Sequence, residues 1–258
     1  MIILLSPAKK LNENYKQPAT GQDYPAFLEK AREVNKALRK LSPKQLAQLQ
    51  SISTDLAELN YARNQSWQTP ENSNEFTPAI FMFNGDAYGG LDVQSFGKED
   101  LAYANNHLRI LSGLYGILKP SDLIEPYRLE MGSKLPIGQK KNLYDFWQKD
   151  LTNYIQTHFH SQTILNVASV EYAQVIDFKK LDNRVVEPVF KDRNANGAYK
   201  VMSYFAKRAR GLMARYVIQN QIKSPEELIN FTSEGYSYDA LTSTRDKLVF
   251  LRDSKRNI

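Results

Sequence analysis

The alternation of short, continuous apolar runs with longer helical patterns is what most constrains how these 258 residues can fold. The opening run Ile2-Ile3-Leu4-Leu5 is apolar at every position and stops at Ser6-Pro7, which reads as a strand buried on both faces. The runs 79–83, 108–112 and 163–168 read the same way, and further strands are expected at 185–190, 199–203 and 247–252. Between them, three-to-four spacing of apolar residues predicts helices. The clearest spans 23–41, with Phe27, Ala31, Val34, Leu38 and Leu41 on one face. Others are expected over 43–50, 55–67, 99–107, 142–158 and 204–220, with a short one at 224–230. Ser42-Pro43 supplies an N-cap and a first-turn proline for the helix at 43. The glycine-rich stretch 84–91 reads as a turn. Interleaved strands and helices place the chain in the α/β (α+β) class, a mixed β-sheet flanked by helices. No repeat, low-complexity tract or linker interrupts it, so a single domain over 1–258 is expected, with 23–67 as a helical subdomain.

Composition removes several classes of function. Hydrophobic residues make up 42% and charged residues 24%, enough apolar material for a sizeable core. There is no cysteine, which excludes disulfide scaffolds, thiolate metal sites and a cysteine nucleophile. Only three histidines are present, His107, His158 and His160, and none forms a His-x-Asp/Glu pattern, so no metal site and no cofactor is expected. No stretch approaches the ~20 apolar residues that cross a bilayer. The apolar start is too short for a signal peptide and lacks a basic region before it, so a cytoplasmic monomer is the expectation.

The net charge of +6 is unevenly spread. Residues 179–215 hold ten basic and three acidic side chains, so this segment carries the whole excess. A focused positive field favours polyanionic partners. At about 100° per residue, the helix expected at 204–220 places Phe205, Ala209, Leu212, Met213 and Tyr216 on one arc. Lys207, Arg208, Arg210 and Arg215 fall on the opposite side, with Gly211 in their midst. A mid-helix glycine costs about 1 kcal/mol relative to alanine, and is useful where something must approach the backbone. A phosphate-contacting face explains both features. A solvated Lys/Arg-rich surface explains the charge alone.

Residues 46–60 read as helix, tight turn, helix, and resemble the helix-hairpin-helix motif of proteins that bind DNA without sequence preference. Ile52 is the apolar plug between Ser51 and Ser53, and Thr54 begins the second helix. In that motif the hairpin's backbone N–H groups hold a phosphate. Here serines stand where the motif favours glycines, and Asp55 and Glu58 bring negative charge close by.

Several segments together resemble the YaaA family of bacterial peroxide-stress proteins. They are Ser6-Pro7-Ala8-Lys9-Lys10-Leu11, Phe83-Asn84-Gly85-Asp86-Ala87-Tyr88-Gly89-Gly90-Leu91 and the run from His107 to Met131. Leu143-Tyr144-Asp145-Phe146-Trp147, Asn166-Val167-Ala168-Ser169, Lys207-Arg208-Ala209-Arg210-Gly211-Leu212-Met213 and Ser233-Glu234-Gly235-Tyr236 follow in order. The resemblance implies a cytoplasmic protein that limits oxidative damage by lowering free intracellular iron. It also implies DNA binding through a helix-hairpin-helix element and a basic cleft in an α/β fold.

Two readings of function follow. In the first, DNA is held electrostatically, with weak sequence preference, by Lys207, Arg208, Arg210 and Arg215, by the hairpin Ser51, Ile52, Ser53 and Thr54, and by Lys9 and Lys10 at the same cleft. In the second, the chain is an enzyme acting on a nucleotide or nucleic-acid base. Its pocket would hold Ser6, Lys9, Asp86, Glu125, Tyr127, Arg128 and Glu130, polar residues set among glycines and prolines at expected strand ends. Convergence of these residues on one concave site would favour the second reading and scattered ion pairs the first, and the two are compatible if the pocket opens into the basic cleft.

Overall fold

A computed structural model describes residues 1–13, 15, 23–69 and 76–253. Its elements, in chain order, begin with β1 (Ile2–Leu5) and the helices α1 (Leu28–Leu38), α2 (Pro43–Gln50) and α3 (Thr54–Ser66). Next come β2 (Thr77–Pro78), α4 (Ala79–Met82), α5 (Asp86–Leu91), α6 (Lys98–His107), β3 (Leu108–Ser112), β4 (Gly116–Leu118) and β5 (Leu123–Ile124). The second half holds α7 (Leu143–His158), β6 (Ile164–Asn166), α8 (Val170–Ala173), β7 (Val185–Arg193), β8 (Tyr199–Lys200), α9 (Ser203–Gln219), β9 (Ser237–Tyr238) and β10 (Lys247–Arg252).

Eight strands form one mixed sheet in the order β4-β3-β1-β6-β7-β10-β9, with β8 paired to β7. The five strands β3, β1, β6, β7 and β10 run parallel, and β4, β8 and β9 join antiparallel at the margins. β1 lies at the centre, with Ile3 opposite Leu108 on one side and Leu165 on the other. All four of its residues are buried, as a strand covered by helices on both faces requires. β2 and β5 form a separate two-stranded ribbon.

Some local structure follows directly from the chain. Ser42 accepts from the Gln45 N–H, the Gln45 side chain accepts from the Ser42 N–H at 2.8 Å, and Pro43 opens α2. That is a complete capping box. Trp147, fully buried on α7, donates its indole N–H to the Gly113 carbonyl at 3.0 Å. Phe27 packs against Trp147 and Tyr154, and Lys30 pairs with Asp150 at 2.6 Å, so the N-terminal helices rest on α7.

The structure corrects four expectations. The apolar run 79–83 is not a strand. Pro78 starts a short buried helix there, and a run buried on all sides carries no period that separates strand from helix. The glycine-rich stretch 84–91 is not an open turn but contains helix α5. α1 begins at Leu28 rather than at residue 23, because Asp23 is held by the side chains of Ser121 and Asn105 and bridges to Asp122. On α9, Phe205 is exposed rather than buried, while Ala206, Gly211, Ala214, Val217 and Ile218 are covered.

The glycine stretch and the face of α9 depart from expectation for one reason. α5 crosses α9 so closely that side chains cannot stand between them. A Cβ on Gly211 would lie 1.7 Å from the Ala87 carbonyl oxygen, and one on Gly90 would lie 2.2 Å from the Arg208 carbonyl oxygen. The glycines of both segments therefore serve helix–helix contact. A helix covered by the sheet on one side and by α5 on another keeps only a narrow outer strip.

Candidate functional site

In chain order the five parallel strands count as 2-1-3-4-5, so the connections leave β1 and β6 in opposite directions. Open sheets of this kind leave a crevice beyond the carboxyl ends of the two strands where the order reverses. The chain leaves β1 at Ser6 and reaches Ser169 three residues beyond β6. Ser6 Oγ accepts from the Ser169 N–H at 2.8 Å and donates to Ser169 Oγ at 3.3 Å. The Tyr88 hydroxyl donates to the Ser6 carbonyl at 3.1 Å. These bonds fix the two strand ends to each other and to α5. A cavity of about 470 Å³ opens at this point.

Five cationic side chains reach the cavity: Lys9, Lys10, Arg128, Lys207 and Arg210. Glu130 ties two of them, with Lys9 Nζ at 2.8 Å and Arg128 Nη2 at 3.3 Å. Among the described residues Lys10, Lys207 and Arg210 have no carboxylate partner and no side-chain hydrogen bond. Lys9, Lys10 and Lys207 are exposed and form the rim, whereas Arg210 is half-buried. Burial pulls the Arg210 pKa below its ordinary value, opposed only by the charge of Glu187, and the guanidinium remains a cation at neutral pH. Among the described residues the buried Arg128 Nε has no hydrogen-bond partner.

Two further carboxylates, Asp86 and Glu171, share the cavity with Glu130. Glu171 accepts from the Gly132 N–H at 3.0 Å. Tyr88, Tyr127 and Tyr172 supply three ring walls. Burial pushes all three phenols well above the ordinary tyrosine range, and the Tyr127 hydroxyl lies 2.7 Å from Ser112 Oγ. Tyr127 is therefore a wall rather than an acid–base group at neutral pH.

Of the enzyme-pocket candidates, Ser6, Lys9, Asp86, Tyr127, Arg128 and Glu130 converge on this cavity. Glu125 does not: its carboxylate accepts from the Gln68 N–H at 2.9 Å, at the end of the helical segment. Of the DNA-contact candidates, Lys9, Lys10, Lys207 and Arg210 share the same cavity. Arg208 and Arg215 do not. Arg208 donates from both Nε and Nη2 to Glu234 Oε1, at 2.8 and 2.6 Å, and Arg215 is paired with Asp92. These ion pairs tie α9 to Glu234 and Asp92.

Ser51, Ile52, Ser53 and Thr54 also lie outside the cavity lining. The hairpin touches the site indirectly, through Gln50 Nε2 donating to the Arg128 carbonyl at 2.8 Å. Ser51 takes the left-handed conformation (φ 51°) that glycine fills more easily, and Ser53 caps α3 by accepting from the Leu56 N–H at 3.4 Å. Sequence reasoning missed Ser169, Glu171 and Tyr172. The available signal was a serine just beyond a central strand in Asn166-Val167-Ala168-Ser169, matching Ser6 beyond β1.

Among the described residues no three His, Asp or Glu side chains gather as a metal-binding group, and no helix is long and apolar enough to cross a membrane.

The family model described as peroxide stress protein YaaA matches residues 1–241. A UPF0246 protein of Flavobacterium psychrophilum is 47% identical over 253 residues, covering 98% of this chain and 100% of its own. UPF0246 proteins of Aliivibrio fischeri and Neisseria gonorrhoeae are 45% and 42% identical, each over 258 residues and 99% of both chains. The order of segments around one cavity and the match along nearly the whole chain lead to one conclusion: this chain belongs to the peroxide stress protein YaaA (UPF0246) family.

Proposed function

We propose that this protein acts in the peroxide response as a DNA-binding protein that grips phosphates at the rim of the β1–β6 cavity. The observation that supports this most strongly is the meeting of Lys9, Lys10 and Lys207, exposed side chains from distant parts of the chain, on one concave edge. A cluster of exposed lysines attracts phosphates through counterion release and gives affinity with little sequence preference. Arg208 and Arg215 brace the helix that carries Lys207 and contribute little directly.

The test is fluorescence anisotropy with labelled duplex, single-stranded and branched DNA over a range of salt. A Lys9→Ala/Lys10→Ala/Lys207→Ala variant should bind more weakly, with its log–log salt slope flattened by ~0.9 for each phosphate that is no longer neutralised. Arg215→Ala should leave the slope unchanged. An intact protein that binds none of the three DNAs at physiological salt overturns the reading. The lowering of free intracellular iron is carried over from the family resemblance. It is tested by measuring chelatable iron in peroxide-treated cells with and without the protein, and equal levels remove it.

A further inference from the structure

We propose that the interior of the β1–β6 cavity is a binding site for a free nucleoside monophosphate, distinct from the DNA contact at its rim. The inference goes beyond the DNA reading and does not rest on it.

The first ground is charge. Arg210 carries a half-buried guanidinium into the cavity with neither ion pair nor hydrogen bond among the described residues. A desolvated cation without a partner is costly, and a planar, multidentate guanidinium is matched by a phosphate. Arg128 lines the same cavity with its Nη2 held by Glu130 at 3.3 Å, so the wall carries a second, positioned cation beside Arg210.

The second ground is the opposite sign beside it. Asp86 lines the same cavity and makes no hydrogen bond or ion pair among the described residues. A site made only for a DNA backbone gains nothing from a carboxylate, because the backbone offers no donors and repels it. A small molecule with a phosphate at one end and ring or amino N–H donors at the other satisfies both Arg210 and Asp86. Nucleotides whose base carries such donors have this pattern.

The third ground is shape. About 470 Å³ lies in the range of small-molecule sites, and the crevice at a reversal of strand order is where open parallel sheets place such ligands. The rings of Tyr88, Tyr127 and Tyr172 offer flat apolar surface for a base. Their ionisation is suppressed by burial, so they add no negative charge against the phosphate.

The test is isothermal titration calorimetry of the full chain with the four common ribonucleoside monophosphates, their nucleosides and inorganic phosphate. Saturable one-to-one binding is expected for at least one monophosphate, at least about tenfold tighter than its nucleoside or phosphate alone. Arg210→Gln should weaken it at least about tenfold, and Asp86→Asn should change the ranking among bases. Arg215→Gln, outside the cavity, should leave it unchanged. Thermal unfolding of each variant reports its fold, and if Arg210→Gln does not fold, Asp86→Asn carries the test. The proposal is overturned if the intact protein shows no saturable binding to any monophosphate up to about 5 mM, if phosphate alone binds as well, or if neither folded variant alters binding. DNA anisotropy on the same preparations separates the two readings. Nucleotide binding absent with DNA binding present removes this inference alone; the reverse removes the DNA reading alone.

Discussion

Two regions of this molecule carry the same sequence signal, small residues beside helices, and solve different problems with it. At the crossing of α5 and α9, Gly90 and Gly211 let two backbones approach until a single methyl group would overlap a carbonyl oxygen. At the hairpin between α2 and α3, Ser51 and Ser53 shape a turn that leaves Leu56 and Leu59 substantially exposed and Asp55 on the surface. The crossing is dense and built into the wall of the cavity. The hairpin is open and, among the described residues, reaches the cavity through the hydrogen bond that Gln50 Nε2 donates to the Arg128 carbonyl. A small residue in a helix therefore says that something comes close. It does not say whether that is a ligand or another helix.

The contrast breaks most decisively at Gly211. Its alanine variant must displace either the Ala87 peptide or the whole of α5, so chemical denaturation should show a loss of at least ~3 kcal/mol. A loss below about 1 kcal/mol would mean that the crossing is as tolerant as the hairpin.

Next in size is a pH effect on the segment that leads into α5. The Ala79 N–H, at the start of α4, donates to the Asp122 carbonyl at 2.8 Å, and the Asp122 side chain is buried with Oδ1 unpartnered. Burial raises this carboxyl from 3.8 to about 6, against the Lys119 N–H that holds the charged form. Folding thus favours the protonated acid. The contribution is complete below about pH 4 and is lost as pH rises through about 6. Two units correspond to ~3 kcal/mol, of which a buried amide in its place gives part back. Asp122→Asn should therefore be more stable than the parent by ~1–2 kcal/mol at pH 7 and lose that advantage at pH 4. Identical stability profiles from pH 4 to 7 would rule out a titration at this residue.

The hairpin should respond more gently. Ser53→Ala removes the N-cap of α3 and should cost ~1 kcal/mol, with nucleotide and DNA binding by the folded variant unchanged. A loss of DNA binding at unchanged stability would restore the hairpin as a phosphate contact. Smallest of all, Ser51→Gly relieves a left-handed serine at the expense of unfolded-state entropy, and a gain of ~0.5 kcal/mol in denaturation midpoint analysis is expected. A destabilisation there would show that the serine side chain contributes more than its conformation costs.

Much of the fold was legible because it is local. The N-cap Ser42 with its first-turn Pro43, the buried strand at Ile2–Leu5 and the long helices α7 and α9 depend on neighbours within a few residues. Ala79–Met82 was illegible because a segment apolar on every side has no period to read. Most of the candidate pocket was legible as polar residues at strand ends. Glu125 falls outside it because its carboxylate is held by the Gln68 N–H, a partner 57 residues away that the sequence pattern does not reveal. The pairing of Arg208 and Arg215 on the basic face of α9 was not legible, because a helical wheel shows which side chains share a direction and nothing of which acids will meet them.

By itself the sequence determined the class of fold, the ends of most helices and the fact that positive charge gathers near α9, since propensity, capping and composition act over short range. The tertiary structure alone decided which cations remain free. Glu234 and Asp92 come from other parts of the chain to pair with Arg208 and Arg215, while Glu130 holds Lys9 and Arg128, and Arg210 has no partner among the described residues. Pairing depends on distances of a few ångströms between groups far apart in the chain, and only the packed sheet and the glycine crossing set those distances.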